Sequence, residues 1–241
     1  MCRAIGAHAG RSPAHIRVSG SAGTSSLIRI RSPGTLYCDV MPRRPIADTG
    51  PLAVCIATHK RPQGLERLIN GVQALTFERA PEPAVEIVVV DNDPAGSAKA
   101  TCDRLAQTSR WPLFYVSEPR RGISFARNAA MEKARSRHAQ YIAFIDDDEA
   151  PSPAWLDELL AGLDQYDAGV VAGTVLPMFE SPVAPWMVKG KFFERARSET
   201  GSRRATVATC NVLFKTRVFD DGVGGFDETL MHNAGGIGQP G

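Results

Sequence analysis

No run of apolar residues in this sequence approaches the roughly 20 that a membrane-spanning helix needs. The longest runs, 52–57 and 85–90, are strand-sized, so the chain as given is not expected to cross a bilayer. Cysteine is equally thin. The five residues Cys2, Cys38, Cys55, Cys102 and Cys210 are odd in number, far apart and form no C-x-x-C pair. That excludes a disulfide framework and a zinc cluster and fits a reducing cytoplasm. A dominant charge sign is missing too: the formal total is +2, and residues 1–50 hold seven Arg against two Asp, which leaves −3 for the rest. A neutral-to-acidic body argues against nucleic-acid binding, which puts its positive charge on the folded domain. What the chain does have is 241 residues, 43% of them hydrophobic. A chain of this size buries roughly 70% of its unfolded surface and needs no disulfide or metal staple.

Residues 1–50 are rich in Arg, Ser, Gly and Pro and show no sustained period of two or 3.6. They read as a disordered extension. Two other readings are a targeting segment, although no clear amphipathic helix is present, and a mis-assigned start, with Met41 as the true first residue. From Leu52 the pattern changes. Strands are expected at 52–57, 86–90, 113–116 and 141–145, with later ones at 169–175 and 207–214. Between them, Leu65, Leu68, Ile69, Val72 and Leu75 recur at helical spacing, as do Ala98, Cys102, Leu105 and Ala106, and a further helix is expected over 123–135. Ser152-Pro153 reads as an N-cap with an N1 proline, opening a helix whose core face is Leu156, Leu159, Leu160 and Leu163. Near-continuous apolar strands alternating with helices predict an α/β domain over 51–230, a Rossmann-like, mostly parallel sheet with helices on both faces. In such sheets the ligand sits at the carboxyl ends of the strands.

Those ends are polar: Thr58-His-Lys-Arg-Pro62, Asp91-Asn-Asp-Pro94 and Asp146-Asp-Asp-Glu149. An isolated acidic run is more often a solvated loop than a metal site. Directly after a buried strand, however, closely spaced carboxylates suit Mg²⁺ or Mn²⁺, which share their oxygen ligands with a substrate phosphate. Arg120, Arg121 and Arg127 either add positive charge near that anion or form a solvated helix face. Asp91 either accepts from the imide N–H of a uracil or forms an Asx turn.

The order Ile56-Ala-Thr-His-Lys-Arg-Pro62, Val88-Val-Val-Asp-Asn-Asp-Pro94, Arg121-Gly-Ile-Ser-Phe-Ala-Arg-Asn128, Phe144-Ile-Asp-Asp-Asp-Glu-Ala-Pro151 and Trp155-Leu156 resembles family-2 glycosyltransferases of the GT-A fold. Within that family it looks most like bacterial exopolysaccharide glucosyltransferases of the succinoglycan type, over residues 52–230. The resemblance implies an inverting transfer of a sugar, glucose by this likeness, from a UDP-sugar to a glycan or lipid-linked acceptor. It implies a divalent Mn²⁺ or Mg²⁺ and work in the cytoplasm, at the inner face of the plasma membrane, with peripheral membrane association through the acceptor. It implies further that Thr58 and Arg61 line the nucleotide pocket, that Asp91 binds the uracil and that Arg121 and Arg127 lie near base or diphosphate. Asp146, Asp147 and Asp148 match the Asp-x-Asp region, with Asp146 and Asp148 toward the metal and Asp147 toward the nucleotide. Asn211 and the Gly225-Phe-Asp-Glu228 segment match the acceptor side.

The likeness then breaks. The family follows its Phe-Asp-Glu with a Gly-Gly-Glu-Asp-like motif that carries the base, whereas here Gly235-Gly-Ile-Gly238 follows and no acidic residue comes after Glu228. Residues 231–241 are therefore expected to be an aberrant, truncated or frame-shifted tail, and the catalytic base is unassigned. Asp227 and Glu228 are weak substitutes, and His232 is weaker still. A nucleotide-sugar binding domain without turnover is the alternative reading. A metal-dependent phosphatase is disfavoured, because the Asp run lacks the hydroxyl residue and distant Lys expected around an aspartyl nucleophile.

Overall fold

The computed structural model describes residues 50–179, 182–190, 199–220 and 224–229, together with the backbone of two short strands near the N-terminus. Those strands, β1 (His15–Ser19) and β2 (Ser25–Arg29), pair antiparallel with Ile16 opposite Ile28. They stand where no regular structure was expected. Each carries only two consecutive or alternating apolar residues, too few to register as a strand period. His232 and the tail at 231–241 lie outside the described residues.

The main sheet has six strands, β3 (Leu52–Thr58), β4 (Val85–Asp91), β5 (Leu113–Ser117), β6 (Tyr141–Asp146), β7 (Val170–Ala172) and β8 (Asn211–Lys215), in the order β5-β4-β3-β6-β8-β7. The first four in that order are mutually parallel, and β8 runs antiparallel to both β6 and β7. The expected mostly parallel sheet is thus present, with β8 as an antiparallel strand that was not foreseen. Alternation along the strands divides the core between its two faces. Leu52, Val54 and Ile56 of β3 face α1 (Pro62–Gln73), α2 (Lys99–Ala106) and α4 (Trp155–Gln165). Ala53 and Cys55 face α3 (Ile123–Ser136) and the rings of Phe219 and Phe226. The α3 contact face is Ala126, Ala130 and Ala134, and these short side chains let the helix lie close against β3 and β4.

Three expected boundaries move. Helix α4 starts at Trp155, with Ala154 as N-cap and no side-chain cap. The Pro153 carbonyl instead accepts from the Thr76 amide at 2.8 Å, which holds Ser152-Pro153 in a turn ahead of the helix. The two late strands are shorter than their apolar runs. The Asn211 side chain donates through Nδ2 to the Thr174 carbonyl at 3.2 Å and draws the chain off the ladder after Ala172, while Thr209 and Cys210 form a turn before β8.

One buried carboxylate not singled out in the sequence ties α4 to the α1–β4 connection. Asp157 accepts from the amides of Glu78 and Arg79 at 3.0 Å and of Ala80 at 2.8 Å. Asp157→Ala is expected to cost about 2 kcal/mol, because the Ala80 amide is left unpaired in the interior while Glu78 and Arg79 remain within reach of water. A melting temperature lower by roughly 4–8 °C checks this, and an unchanged one contradicts it.

Candidate donor-nucleotide site

The chain leaves β3 toward β4 on one side and returns from β5 to β6 on the other, so the connections diverge between β3 and β6. A crevice opens at that switch point, outside the carboxyl ends of the strands. Thr58 ends β3 there and the three aspartates follow from β6.

The Thr58 hydroxyl, on a buried side chain, donates to Asp147 Oδ2 at 2.7 Å. Arg61, the N-cap residue of α1, spans both neighbouring carboxylates, with its Nη1 3.2 Å from Asp147 Oδ1 and 3.0 Å from Asp148 Oδ2. Asp147 is buried, and desolvation raises its pKa against the opposing pull of Thr58 and Arg61. Asp148 is the accessible member, with 44% of its side chain exposed. Gly64 is a residue the sequence reading passed over. A Cβ there would stand 2.7 Å from the Asp147 carbonyl oxygen, so only glycine lets the first turn of α1 lie against the acidic loop. A glycine two residues into a helix that follows a strand end was the available signal.

Asp146 points the other way. It pairs at 3.1 Å with Nη2 of Arg127, which is only 2% exposed and lies under the ring of Phe226. Burial lowers the Arg127 pKa, and Asp146 opposes that shift. Arg127 is thus an interior counter-ion to Asp146 and not part of a solvated helix face. Its Nη1 has no hydrogen-bond partner. Glu149 completes this inner group, with burial first and Asp146 second pushing its pKa up to about 7.

Asp91, expected to bind a base, ends β4 beneath the turn that follows. It is fully buried, and its Oδ2 accepts from the Ala98 amide at 2.7 Å and its Oδ1 from the Asp93 amide at 3.0 Å. Tyr115 donates a further bond at 3.3 Å. The carboxylate organises the turn after β4, the second of the two roles open to it in the sequence. Asn92 was missed, yet its amide donates at 2.7 Å to the carbonyls of Glu118 and Arg120 and accepts from Gly122 N at 2.9 Å. This clamp fixes the turn that carries Arg121 into α3. Arg120 itself is committed to Glu118, at 2.9 and 2.6 Å.

Beside the aspartates lies a cleft of about 280 Å³ lined by His59, Lys60, Asn92, Asp93, Pro94 and Arg121. Its one carboxylate, Asp93, is held below the usual range, chiefly by the Ala95 amide. A larger open cleft of about 720 Å³ is lined by Tyr141 and Lys215 among others, and so lies at the opposite ends of the strands, away from this chemistry. Among the described residues Cys55, Cys102 and Cys210 are buried and form no disulfide, and burial pushes Cys102 up to about 12.

Of the residues expected on an acceptor side, Asn211 accepts through Oδ1 from the Trp155 indole at 2.8 Å. Asn128 grips the Phe226 backbone through both its amide groups, at 3.0 and 2.8 Å, and donates to Glu228 at 2.9 Å. Asp227 accepts from the Thr229 amide at 2.9 Å and from its hydroxyl at 2.6 Å.

Among the described residues no group of three or more His, Cys, Asp or Glu is placed to hold a metal ion by itself. The hard-oxygen rim still fits one, since Mg²⁺ and Mn²⁺ use one or two carboxylates and take the rest of their shell from phosphate and water. The Arg61 guanidinium already bridges Asp147 and Asp148 in a cationic position.

A switch-point crevice with an acidic loop on one side and a nucleoside-sized cleft on the other is the architecture of GT-A glycosyltransferases. The sequence model for glycosyl transferase family 2 matches residues 53–222, and the chain belongs to that family. It is 32% identical over 162 residues to the succinoglycan biosynthesis protein ExoM of Rhizobium meliloti, covering 66% of this chain and 50% of that one. To a glucosyl-dolichyl phosphate glucuronosyltransferase of Haloferax volcanii it is 27% identical over 190 residues, covering 73% and 55%. The chain therefore spans about half the length of these curated relatives. Among solved structures, residues 1–349 of S. aureus TarS in complex with UDP superpose with a TM-score of 0.52 at 19% identity, covering 70% of this chain and 48% of that one. A mannosyltransferase of Pyrobaculum calidifontis in complex with GDP-Man and Mn²⁺ gives 0.51 at 20% identity, covering 82% and 51%. Both likenesses concern the fold.

Proposed function

We propose that this chain is the donor-binding part of an inverting glycosyltransferase. It moves a sugar, glucose by its likeness to succinoglycan-type enzymes, from a UDP-sugar to a glycan or lipid-linked acceptor in exopolysaccharide synthesis at the inner face of the plasma membrane. The observation that carries the reading is the Thr58–Asp147–Arg61–Asp148 network at the switch point, opening onto the cleft of Asn92, Asp93 and Arg121.

In this reading the cleft takes the base. Asp93, which lines the cleft and accepts one turn amide from Ala95, stands in for Asp91, whose two oxygens both accept amides, as the carboxylate for its imide N–H. Arg121 and Arg61 face the diphosphate, and Asp147 faces the ribose. Asp148 would hold the divalent metal, and Asp146, expected beside it, is turned toward Arg127 instead. Bound there, the metal supplies Lewis-acid stabilisation of the charge that develops on the departing diphosphate. In this reading the donor is held with its anomeric carbon open on the face opposite the leaving group, so that the acceptor oxygen bonds to it as the bond to the diphosphate breaks, the hydroxyl proton passes to a base that is unassigned, and the configuration inverts.

Asp93→Asn is expected to weaken UDP by about tenfold or more while leaving pyrophosphate unchanged, because only the base contact loses its charged acceptor. Calorimetry on both ligands decides it, and equal losses place the base elsewhere.

A second reading, a donor-binding domain without turnover, is favoured by one observation. Asp227 Oδ1 already accepts from Thr229 and Glu228 Oε1 from Asn128, so each acidic candidate is engaged through one oxygen. Metal-dependent hydrolysis of UDP-glucose by this chain separates the two readings.

A further inference from the structure

We infer that Arg61 is the resident counter-ion of the acidic loop, holding Asp147 and Asp148 against a free divalent cation until a donor diphosphate draws it away. The diphosphate half of this rests on the transferase reading, and the metal half does not. One nitrogen of Arg61 serves both carboxylates: its Nη1 lies 3.2 Å from Asp147 Oδ1 and 3.0 Å from Asp148 Oδ2. The Thr58 hydroxyl donates to the other Asp147 oxygen at 2.7 Å. Both Asp147 oxygens are thus engaged, and Arg61 also claims one oxygen of Asp148, the carboxylate assigned to the metal.

Electrostatics makes the occupancy exclusive. Asp147 is a buried carboxylate with 8% of its side chain exposed, and Asp148 follows it directly. If Arg61 left with no replacement, that buried charge would stand uncompensated. A guanidinium and a divalent ion on the same carboxylates would in turn repel each other across a few ångströms. Asp146 relieves neither problem, because it is paired with Arg127. Departure of the arginine and arrival of the metal are therefore one exchange.

Arg61 is placed to make that exchange. Its side chain is 56% exposed, and ion pairs so open to water hold weakly. Helix α1 does not depend on it, since the Leu65 amide donates to the Arg61 carbonyl at 3.0 Å and no side chain caps the helix. Gly64 keeps the first turn of α1 against the acidic loop, so an arginine released from the aspartates stays at the crevice. Its planar fork then matches the oxygens of a diphosphate. Arg127 is the contrast, 2% exposed and fixed on Asp146. The consequence is that metal alone fills the site poorly, and donor and metal favour each other's entry through Arg61 as well as through direct contact.

The test titrates Mn²⁺ alone, without nucleotide, into the 241-residue chain and into Arg61→Gln and Arg121→Gln, and then UDP with chelator into the same three proteins. Arg61→Gln is expected to bind free Mn²⁺ at least about tenfold more tightly than the wild type. Arg121→Gln, which removes a cation that lines the cleft and bonds to neither aspartate, is expected to change it by less than about twofold. Metal-free UDP is expected to bind Arg61→Gln several-fold more weakly. Should Arg61→Gln be marginally stable, the same gain is read as a melting temperature raised by roughly 2–4 °C more by Mn²⁺ than in the wild type. Mn²⁺ affinity unchanged or reduced in Arg61→Gln overturns the inference, and so does an equal gain in both variants, which would be a long-range effect of charge. Metal-free UDP affinity unchanged in Arg61→Gln overturns the transfer to the diphosphate. A wild type that binds no UDP counts against the transferase reading and removes that transfer with it, while the Mn²⁺ titrations still decide the exchange.

Discussion

Asp148→Ala is expected to lower Mn²⁺-dependent UDP affinity by about 100-fold, near 2.7 kcal/mol, while leaving the fold intact. The size follows from position. Of the three aspartates, Asp147 is buried against Thr58 and Asp146 is turned toward Arg127, so Asp148 alone presents an accessible carboxylate at the crevice. The intactness follows from the same exposure, because a half-exposed side chain held by one arginine adds little to stability. Metal-free UDP binding should change far less than the metal-dependent part. Titrations of the wild type and the variant, each with Mn²⁺ and with chelator, read both quantities. An equal loss under both conditions would make Asp148 a nucleotide contact, and no loss would remove it from the site.

Arg127→Met is expected to cost about 3–4 kcal/mol of stability, since it leaves the Asp146 carboxylate facing the interior without its partner. Its guanidinium is 2% exposed, and the replacement keeps the apolar stem that packs under Phe226 while removing the charge. The double variant Arg127→Met/Asp146→Asn should recover at least half of that loss, because no uncompensated charge is then buried. Denaturant midpoints at unchanged slope measure it. A loss below about 1 kcal/mol would show that water reaches Asp146 and that the pair holds nothing together.

The framework of this site was readable because it is written in periodicity and punctuation. Apolar runs of strand length ended in Thr58, Asp91 and Asp146, and the rule for parallel sheets turned those ends into a rim. What the sequence left open was side-chain direction. Asp91 and Asp93 are two residues apart in one turn and both accept loop amides, but Asp91 does so on both oxygens while Asp93 lines the cleft, a difference that spacing does not show. Arg121 and Arg127 look equivalent in the motif, yet one opens α3 at the cleft and the other lies one and a half turns along it, buried against the sheet. Asn92 and Gly64 carry no charge and so attracted no attention, although one clamps the turn that carries Arg121 and the other admits the acidic loop. The late strands were overextended for a related reason: apolar runs continue past the point where Asn211 draws the backbone away.

Calorimetric titration of UDP and UDP-glucose into this chain, with and without Mn²⁺, tests the central claim most directly. The account predicts saturable binding of both ligands that tightens at least about tenfold when the metal is present. Absence of binding under either condition would contradict it.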